Sequence, residues 1–412
     1  MIRFVHAADL HLDRPFEGLT TLPEEIHKRA AESTFQALRH LVDKTIHSKA
    51  DFLIIAGDIF DNSHRSIKAQ RAFISEMGRL EQAGIPVYIS YGNHDFINQS
   101  WNHLTLPDNV HVFPETPSMF SLQTTHGLHV HLYGFSYQQR WIHTDMAAQY
   151  SRTGQADYHI ALLHGEQRNP NDSGKYAPFT QQELIEKGFD YWALGHIHKR
   201  QQLAVPAPIW YPGDIQGLSF KESELGEKGA SLVELDAHGA HVHFFQTSVI
   251  YWDREKLPFT GPLTAENLEE ALTKLKEKFR EKHHACFIRV AFSFADPGRE
   301  RNDVEDMVKE LIDAVNEDES DQSDFIWLIQ GECSYKSVWD KQEVMTSSHF
   351  VGDLFRFIEE QDSVDRATEL LYHHHSAKKY LTALTPSEQQ QIRAESEQLL
   401  ADALLSLDIE KQ

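Results

Sequence analysis

The sequence predicts an α/β protein, and three observations predict it. The run Phe52-Leu53-Ile54-Ile55-Ala56 is unbroken apolar sequence that reads as a strand buried on both faces, and it ends in Gly57-Asp58. Helical patterns flank it. Ile26, Ala30, Phe35, Leu38, Val42 and Ile46 form an apolar stripe over residues 24–48, and a second helix over residues 68–83 stops at Gly84-Ile85-Pro86. Further apolar strands empty, as this one does, into Gly, Asp, Asn or His, and open α/β sheets keep their ligands at the carboxyl edge of the strands.

In chain order, Ile2-Arg3-Phe4-Val5 is a first short strand that runs into His6-Ala7-Ala8-Asp9-Leu10-His11. Asp9 and His11 are two apart, so in extended chain they share a face. Alone, that pair is as readily a strand-end Asp beside a surface His. The strand ending at Asp58 completes a βαβ unit. Val87-Tyr88-Ile89-Ser90 is the third strand and leads into Gly92-Asn93-His94-Asp95. Residues 110–112 and 129–133 read as strands of a second sheet. Residues 158–163 form another apolar strand, ending in His164-Gly165, and a polar loop over residues 167–178 overhangs it. Tyr191-Trp192-Ala193-Leu194 delivers Gly195-His196-Ile197-His198. Residues 210–214 and 231–235 are the last strands before the composition changes near residue 250.

Beyond that point the pattern is helix (264–279), strand (286–294), helix (304–315) and strand (325–329), with no chemical constellation, which suits a small accessory domain. From about residue 347 the chain reads as helical, with Thr385-Pro386-Ser387-Glu388 as a capping-box start. His373-His374-His375 points three ways around a helix and reads as a polar face rather than a metal site.

The 412 residues carry 41% hydrophobic and 25% charged side chains, as expected of a soluble protein of two or three domains. No apolar run reaches membrane-spanning length, and the N-terminus lacks the pattern of a signal peptide. Two cysteines, Cys286 and Cys333, exclude a disulfide framework, and a cytoplasmic setting is expected. The net charge of −23 argues against a protein that coats nucleic acid non-specifically, but not against an enzyme whose local field comes from bound cations.

Collected, the strand-end residues are Asp9, His11, Asp58, Asn93, His94, His164, His196 and His198. Two divalent cations close together need one carboxylate to bridge them, and Asp58 is the natural bridge. The rest divide into Asp9, His11 and His198 on one metal and Asn93, His164 and His196 on the other. Imidazole, carboxylate and amide oxygen suit manganese, iron or zinc. A water bridging such a pair is the expected in-line nucleophile. His94 is free to face the substrate, with Asp61 or Asp95 orienting its ring. Arg65, Lys199 and Arg200 are candidate contacts to a phosphate backbone, and equally ordinary solvated loop charges.

Asp9-x-His11, Gly57-Asp58-x-x-Asp61, Gly92-Asn93-His94-Asp95, His164 and Gly195-His196-x-His198 resemble the motifs of calcineurin-like metallophosphoesterases. The resemblance is nearest to the SbcD-type DNA repair nucleases and, within them, the YhaO-type exonuclease-like proteins. It implies a four-layer α-β-β-α core over residues 1–250, with two packed sheets flanked by helices. An α+β cap over residues 251–340 and a helical partner-binding segment over residues 347–412 follow. It further implies two divalent ions, with manganese expected, and hydrolysis of DNA phosphodiesters from ends, with endonuclease activity on some substrates. Docking on an SMC-like coiled-coil ATPase (SbcC-type or equivalent) through the C-terminal helices, and a homodimer, are implied too. Protein phosphatases of the superfamily have Arg and Glu where this chain has Asn62 and Asp95, a departure from that branch. The alternatives are a phosphodiesterase or phosphatase acting on nucleotides or another small phosphoester, and a non-catalytic adaptor that recruits an ATPase.

Overall fold

The computed structural model describes residues 1–19, 22–61, 66–98, 104–168, 174–282, 285–295, 299–336, 341–346, 350–360, 368 and 384–405. In chain order it begins β1 (Ile2–Ala7), α1 (Glu24–His47), β2 (Phe52–Ala56), α2 (Ile67–Gln82), β3 (Val87–Ser90) and β4 (Val110–Val112). It continues β5 (Ser118–Gln123), β6 (His129–Gly134), β7 (Tyr158–His164), α3 (Gln181–Glu186), β8 (Tyr191–Gly195), β9 (Gln201–Ala204), β10 (Ile209–Tyr211), β11 (Gly229–Asp236) and β12 (Gly239–Gln246). Then come β13 (Ile250–Phe259), α4 (Ala265–Arg280), β14 (Ala285–Ala295), α5 (Arg301–Glu317), β15 (Ile326–Lys336), α6 (Lys341–Thr346), α7 (Phe350–Glu360) and α8 (Pro386–Leu405).

Two mixed six-stranded sheets form, in the orders β12-β11-β1-β2-β3-β4 and β5-β6-β7-β8-β10-β9. The strands that deliver the candidate ligands run parallel: β1 beside β2, β2 beside β3, β6 beside β7 and β7 beside β8. Their carboxyl ends therefore gather at one edge of each sheet.

The alternation of side chains along β2 sorts the core. Phe52 and Ile54 join Ile2, Phe4, Tyr88, Leu132, Ile160, Leu162 and Tyr191 between the two sheets. Leu53 and Ile55 face the other way, onto Leu38, Leu41, Phe73 and Met77 of α1 and α2. On the far side of the second sheet, Leu163, Trp192 and Leu194 pack with Leu184 of α3. The result is an α-β-β-α stack with both faces of β2 dry, which is why its sequence is apolar without a break. Each such fully buried large side chain is worth about 1.5–3 kcal/mol relative to exposure.

By compactness the chain divides into two units. The first is Met1–Arg254 with Glu277–Ile288 and Asp318–Trp327, and the second is Glu255–Lys276, Arg289–Glu317 and Leu328–Gln412. The accessory strands form a three-stranded sheet, β13-β14-β15. The sequence pattern passed over β13, whose second half alternates exposed and half-buried residues, as well as β5, β9 and β12, which are largely half-exposed. In the second unit Val304, Val308 and Ile312 form the buried stripe of α5. Asn316 clamps the end of that helix onto β15, giving its amide to the Leu328 carbonyl (2.8 Å) and accepting from the Leu328 amide (3.0 Å). Both bonds of the capping box form at the start of α8, Glu388 N to Thr385 Oγ1 and Thr385 N to Glu388 Oε2. The triple histidine at 373–375 and Arg65 lie outside the described residues. Among the described residues, no helix is long and apolar enough to cross a membrane.

Buried polar side chains also enter the layer between the sheets, His6 among them. His6 continues the face of Ile2 and Phe4, accepting at Nδ1 from the Tyr191 hydroxyl (3.1 Å) and donating from Nε2 to the Leu194 carbonyl (3.1 Å). Burial pulls its pKa down to about 3, only partly offset by the Leu194 bond. The unfolded chain takes up this proton near pH 6.5 and the folded chain resists it. The stability His6 permits is therefore whole above pH 6.5 and is lost as pH falls toward 3, at up to about 1.4 kcal/mol per pH unit. His6→Leu should unfold at lower denaturant than wild type at pH 7, having lost both hydrogen bonds, yet change less between pH 7 and pH 5. Parallel losses in the two proteins would show that the acid sensitivity lies elsewhere.

Candidate metal centre

The loops that leave β1 and β2 are zipped together. Asp9 N donates to Gly57 O (3.1 Å), His11 N to Asp58 O (3.0 Å) and Leu12 N to Ile59 O (3.0 Å), carrying backbone pairing beyond the last residues of both strands. Within this zipper Asp9, His11 and Asp58 adopt positive φ (52°, 42° and 52°), as does His196 after β8 (98°). Non-glycine residues in that region are uncommon and concentrate where a structure holds side chains for a purpose.

The glycines of the motifs have a steric cause. A Cβ on Gly57 would lie 2.2 Å from His164 Nδ1, and one on Gly92 would lie 2.3 Å from Asp58 Oδ1 and 2.7 Å from His164 Nε2. The ring of His164 and the carboxylate of Asp58 fit only because the neighbouring backbone is bare. Gly92→Ala must therefore push these two groups apart, and we expect divalent-cation affinity to fall by about 10–100-fold, the usual cost of disturbing the groups that orient ligands. Calorimetric titration with manganese measures it, and unchanged affinity would refute the steric account.

The predicted ligands converge. His11 Nε2 and His198 Nε2 face each other at 3.1 Å. Across from them Asn93 Oδ1 lies 3.0 Å from His164 Nε2 and 3.1 Å from His196 Nδ1. Asp58 Oδ2 lies between the two clusters, 3.9 Å from His11 Nε2 and 3.4 Å from His164 Nε2. Asp9 receives the His196 amide on both carboxylate oxygens (3.1 Å each), which ties the first and last motifs together. One ligand atom each from Asp9, His11 and His198, and likewise from Asp9, Asp58 and His164, falls within a 4.8 Å span. His164 is held from behind: Nδ1 bonds the Ala56 carbonyl (2.9 Å), and its own carbonyl accepts the Tyr137 hydroxyl (2.9 Å).

His94 stands at the rim. Its amide donates to Asp58 Oδ1 (2.9 Å) and its Nδ1 lies 3.2 Å from Asp61 Oδ2. Burial alone would lower its pKa, but the hydrogen bond with Asp61 and the charges of Asp58 and Asp61 outweigh it, and the imidazolium is favoured. Asp95 is fully buried and takes three backbone amides, Ile59 (2.7 Å) and Phe60 (3.3 Å) on Oδ2 and Gly92 (2.7 Å) on Oδ1. It splices the β2 and β3 loops, so of the two acidic neighbours Asp61 is the one seen on the His94 ring. Of the cations nominated from sequence, Lys199 lies 3.6 Å from Glu222 on the surface and Arg200 stacks over the Phe244 ring at 3.6 Å.

Sequence reasoning missed four polar residues here. Arg14 lies 3.8 Å from Asp61 Oδ2 and 3.0 Å from Glu17. Glu224 Oε1 lies 3.4 Å from His198 Nδ1, and Lys228 Nζ lies 2.8 Å from Asp214 Oδ1. Asp214 follows β10 in a loop, Glu224 ends a single 3₁₀ turn (Glu222–Glu224) and Lys228 directly precedes β11, and no hydrophobic periodicity marks any of them. Only Tyr211-Pro212-Gly213-Asp214 carried a signal, another strand ending in Gly-Asp.

Buried charge decides whether these residues suit a cation. Burial pushes Asp9 up to about 6, with neighbouring histidines partly offsetting it. Burial opposes a proton on His164 and His198, yet Asp58 beside the first and Glu224 beside the second raise both to about 9. Burial and charged neighbours keep His196 near 3 and His11 well below its ordinary value. The carboxylates beside these two rings favour positive charge there, and a divalent cation would supply it in place of the ring protons. His11 Nδ1 is buried without a hydrogen-bond partner among the described residues, and the donors are all nitrogen and oxygen. The residues fit divalent ions of the manganese, iron or zinc kind.

A two-sheet α/β core whose strand ends gather a carboxylate between two imidazole clusters defines a metal-dependent hydrolase. The chain belongs to the calcineurin-like phosphoesterase family, which matches residues 2–200. It is 33% identical over 413 residues to the uncharacterized metallophosphoesterase YhaO of Bacillus subtilis (strain 168), covering 99% of each chain. It is 24% identical over 274 residues to the DNA double-strand break repair protein Mre11 of Methanopyrus kandleri, covering 62% of this chain and 58% of that one. With the Mre11 of Sulfurisphaera tokodaii the identity is 26% over 286 residues, covering 67% and 69%.

Proposed function

We propose that this chain is a DNA nuclease that hydrolyses phosphodiester bonds with a pair of divalent cations, manganese foremost. The observation that carries the reading is the place of Asp58 Oδ2 between two ligand clusters, 3.4 Å from His164 and 3.9 Å from His11. Asp9, His11 and His198 would hold one ion and Asn93, His164 and His196 the other, with Asp58 shared. Bound there, the ions supply a water nucleophile active at neutral pH and a positive field for the phosphoryl oxygens. The protein's own part is acid–base and positional. His94, kept protonated by Asp61, faces outward to give its proton to the departing oxygen. Asp95 holds the loops that carry Asp58 and Asn93 at fixed separation.

The choice of DNA is supported by the relatives named for double-strand break repair and by the sequence beyond the phosphoesterase core. In this reading residues 251–340 act as a cap, exonuclease action on DNA ends predominates, and the work is done in the cytoplasm with an SMC-like coiled-coil ATPase. The C-terminal helices offer that partner Phe350 and Phe357 on α7 and Leu399 on α8, all more than half exposed. Removing residues 347–412 should abolish co-purification with a co-expressed coiled-coil ATPase of the same genome, and undiminished capture would refute the docking. The test of the substrate is release of nucleotides from end-labelled duplex DNA with manganese, beside mononucleotides and cyclic nucleotides at equal concentration. Faster turnover of the small phosphoesters than of DNA would favour a nucleotide phosphoesterase instead.

A further inference from the structure

We propose that Glu224 is a positioning residue that fixes the tautomer and tilt of His198, and so sets the affinity of one of the two cation positions. The inference rests on reading the centre as a metal pair. His198 has two ring nitrogens with different tasks. Nε2 faces His11 Nε2 at 3.1 Å, toward the ligand cluster, and Nδ1 faces Glu224 Oε1 at 3.4 Å. A carboxylate can only accept from a ring N–H, so Glu224 holds the proton on Nδ1 and leaves the Nε2 lone pair for a cation.

The carboxylate is built for the purpose. Its side chain is 3% exposed, and its second oxygen accepts the Leu218 amide (2.9 Å), so the group is pinned at both ends. Anchoring the loop would need one oxygen, and the other is aimed at the ring. The backbone of His198 is held as well, because Lys228 Nζ donates to its carbonyl (3.0 Å) while pairing with Asp214 Oδ1 (2.8 Å). His198, Asp214 and Glu224 could by themselves be taken for a third cation position. The Lys228 ammonium already fills that role, so the three serve as support.

Glu224→Gln is the informative change. Its amide oxygen can keep the Leu218 bond, and its NH2 would then face Nδ1 and demand a lone pair there, which moves the ring proton to Nε2. Manganese titration of the full chain, by electron paramagnetic resonance or calorimetry, should show one of two sites weakened about 10–100-fold and the other unchanged. In Glu224→Gln/His198→Ala the loss should equal that of His198→Ala alone. Glu224→Asp, a carboxylate one carbon shorter, should retain more affinity than Glu224→Gln. Two sites of wild-type affinity in Glu224→Gln, equal weakening of both sites, or a double variant worse than His198→Ala would each overturn the role of Glu224. A wild type that binds no manganese would overturn the metal-pair reading and this one with it.

Discussion

Asp58→Asn should leave the chain folded but reduce it from two bound cations to at most one, with hydrolysis down about 10³-fold. Asparagine copies the shape, so Oδ1 can still accept the His94 amide, as Asp58 does at 2.9 Å. What disappears is the charge between the clusters. Two dications facing Asp9 and Asp58 retain +2 after neutralisation, whereas Asp9 alone leaves +3 in a pocket where both carboxylates are buried. Losing several kcal/mol of transition-state stabilisation corresponds to the stated factor, at about 1.36 kcal/mol per tenfold. The metal-free protein should respond as well. Asp58 supplies the charge and hydrogen bond that, against burial, raise His164 to about 9. That contribution to stability is fully present below pH 6.5 and is lost as pH rises through about 9. The variant should therefore be most destabilised, relative to wild type, at pH 6 and least at pH 9.5. Metal analysis and urea midpoints at the two pH values test both halves. Two ions per chain with wild-type turnover in the variant would end the case for Asp58 as the bridge.

Much of this centre was legible because its constraints are local. His164 and Asp58 need bare backbone beside them, so glycine appears at 57 and 92 immediately after apolar runs, and a reader of sequence meets strand, glycine and ligand together. The division of β2 between two cores likewise prints itself as five consecutive apolar residues. The illegible part is what depends on loops returning from elsewhere. Glu224 reaches His198 across 26 positions, Arg14 reaches Asp61 across 47, and no hydrophobic periodicity marks either position. Sequence offers Asp61 and Asp95 alike as partners for the His94 ring, yet the Asp95 oxygens go to the amides of Ile59, Phe60 and Gly92, a demand for acceptors that sequence does not display. Strands such as β12 escaped because exposed histidines, His241 and His243, alternate with the half-buried Ala240, Val242 and Phe244, so no continuous apolar run marks the strand.

His94→Gln separates proton transfer from cation binding. The His94 bond to Asp58 is made by the backbone amide, so the substitution should leave cation stoichiometry and affinity unchanged. Glutamine can hydrogen-bond but carries no proton to give, and kcat on DNA should fall by about 10²–10⁴-fold, the range for losing a general acid. The leaving group supplies the sharper test. A nitrophenolate departs without protonation, so bis(p-nitrophenyl) phosphate should lose far less than DNA does. The pH profile supplies another. A general acid works only while protonated, and Asp61 outweighs burial to hold the His94 proton on, so the alkaline limb of wild type should lie above pH 6.5. Asp61→Asn removes the charge and weakens the hydrogen bond, lowers the pKa, and should move that limb to lower pH. Equal losses on the two substrates, or a limb unmoved in Asp61→Asn, would reassign His94 from proton donor to a fixed charge beside the phosphoryl group.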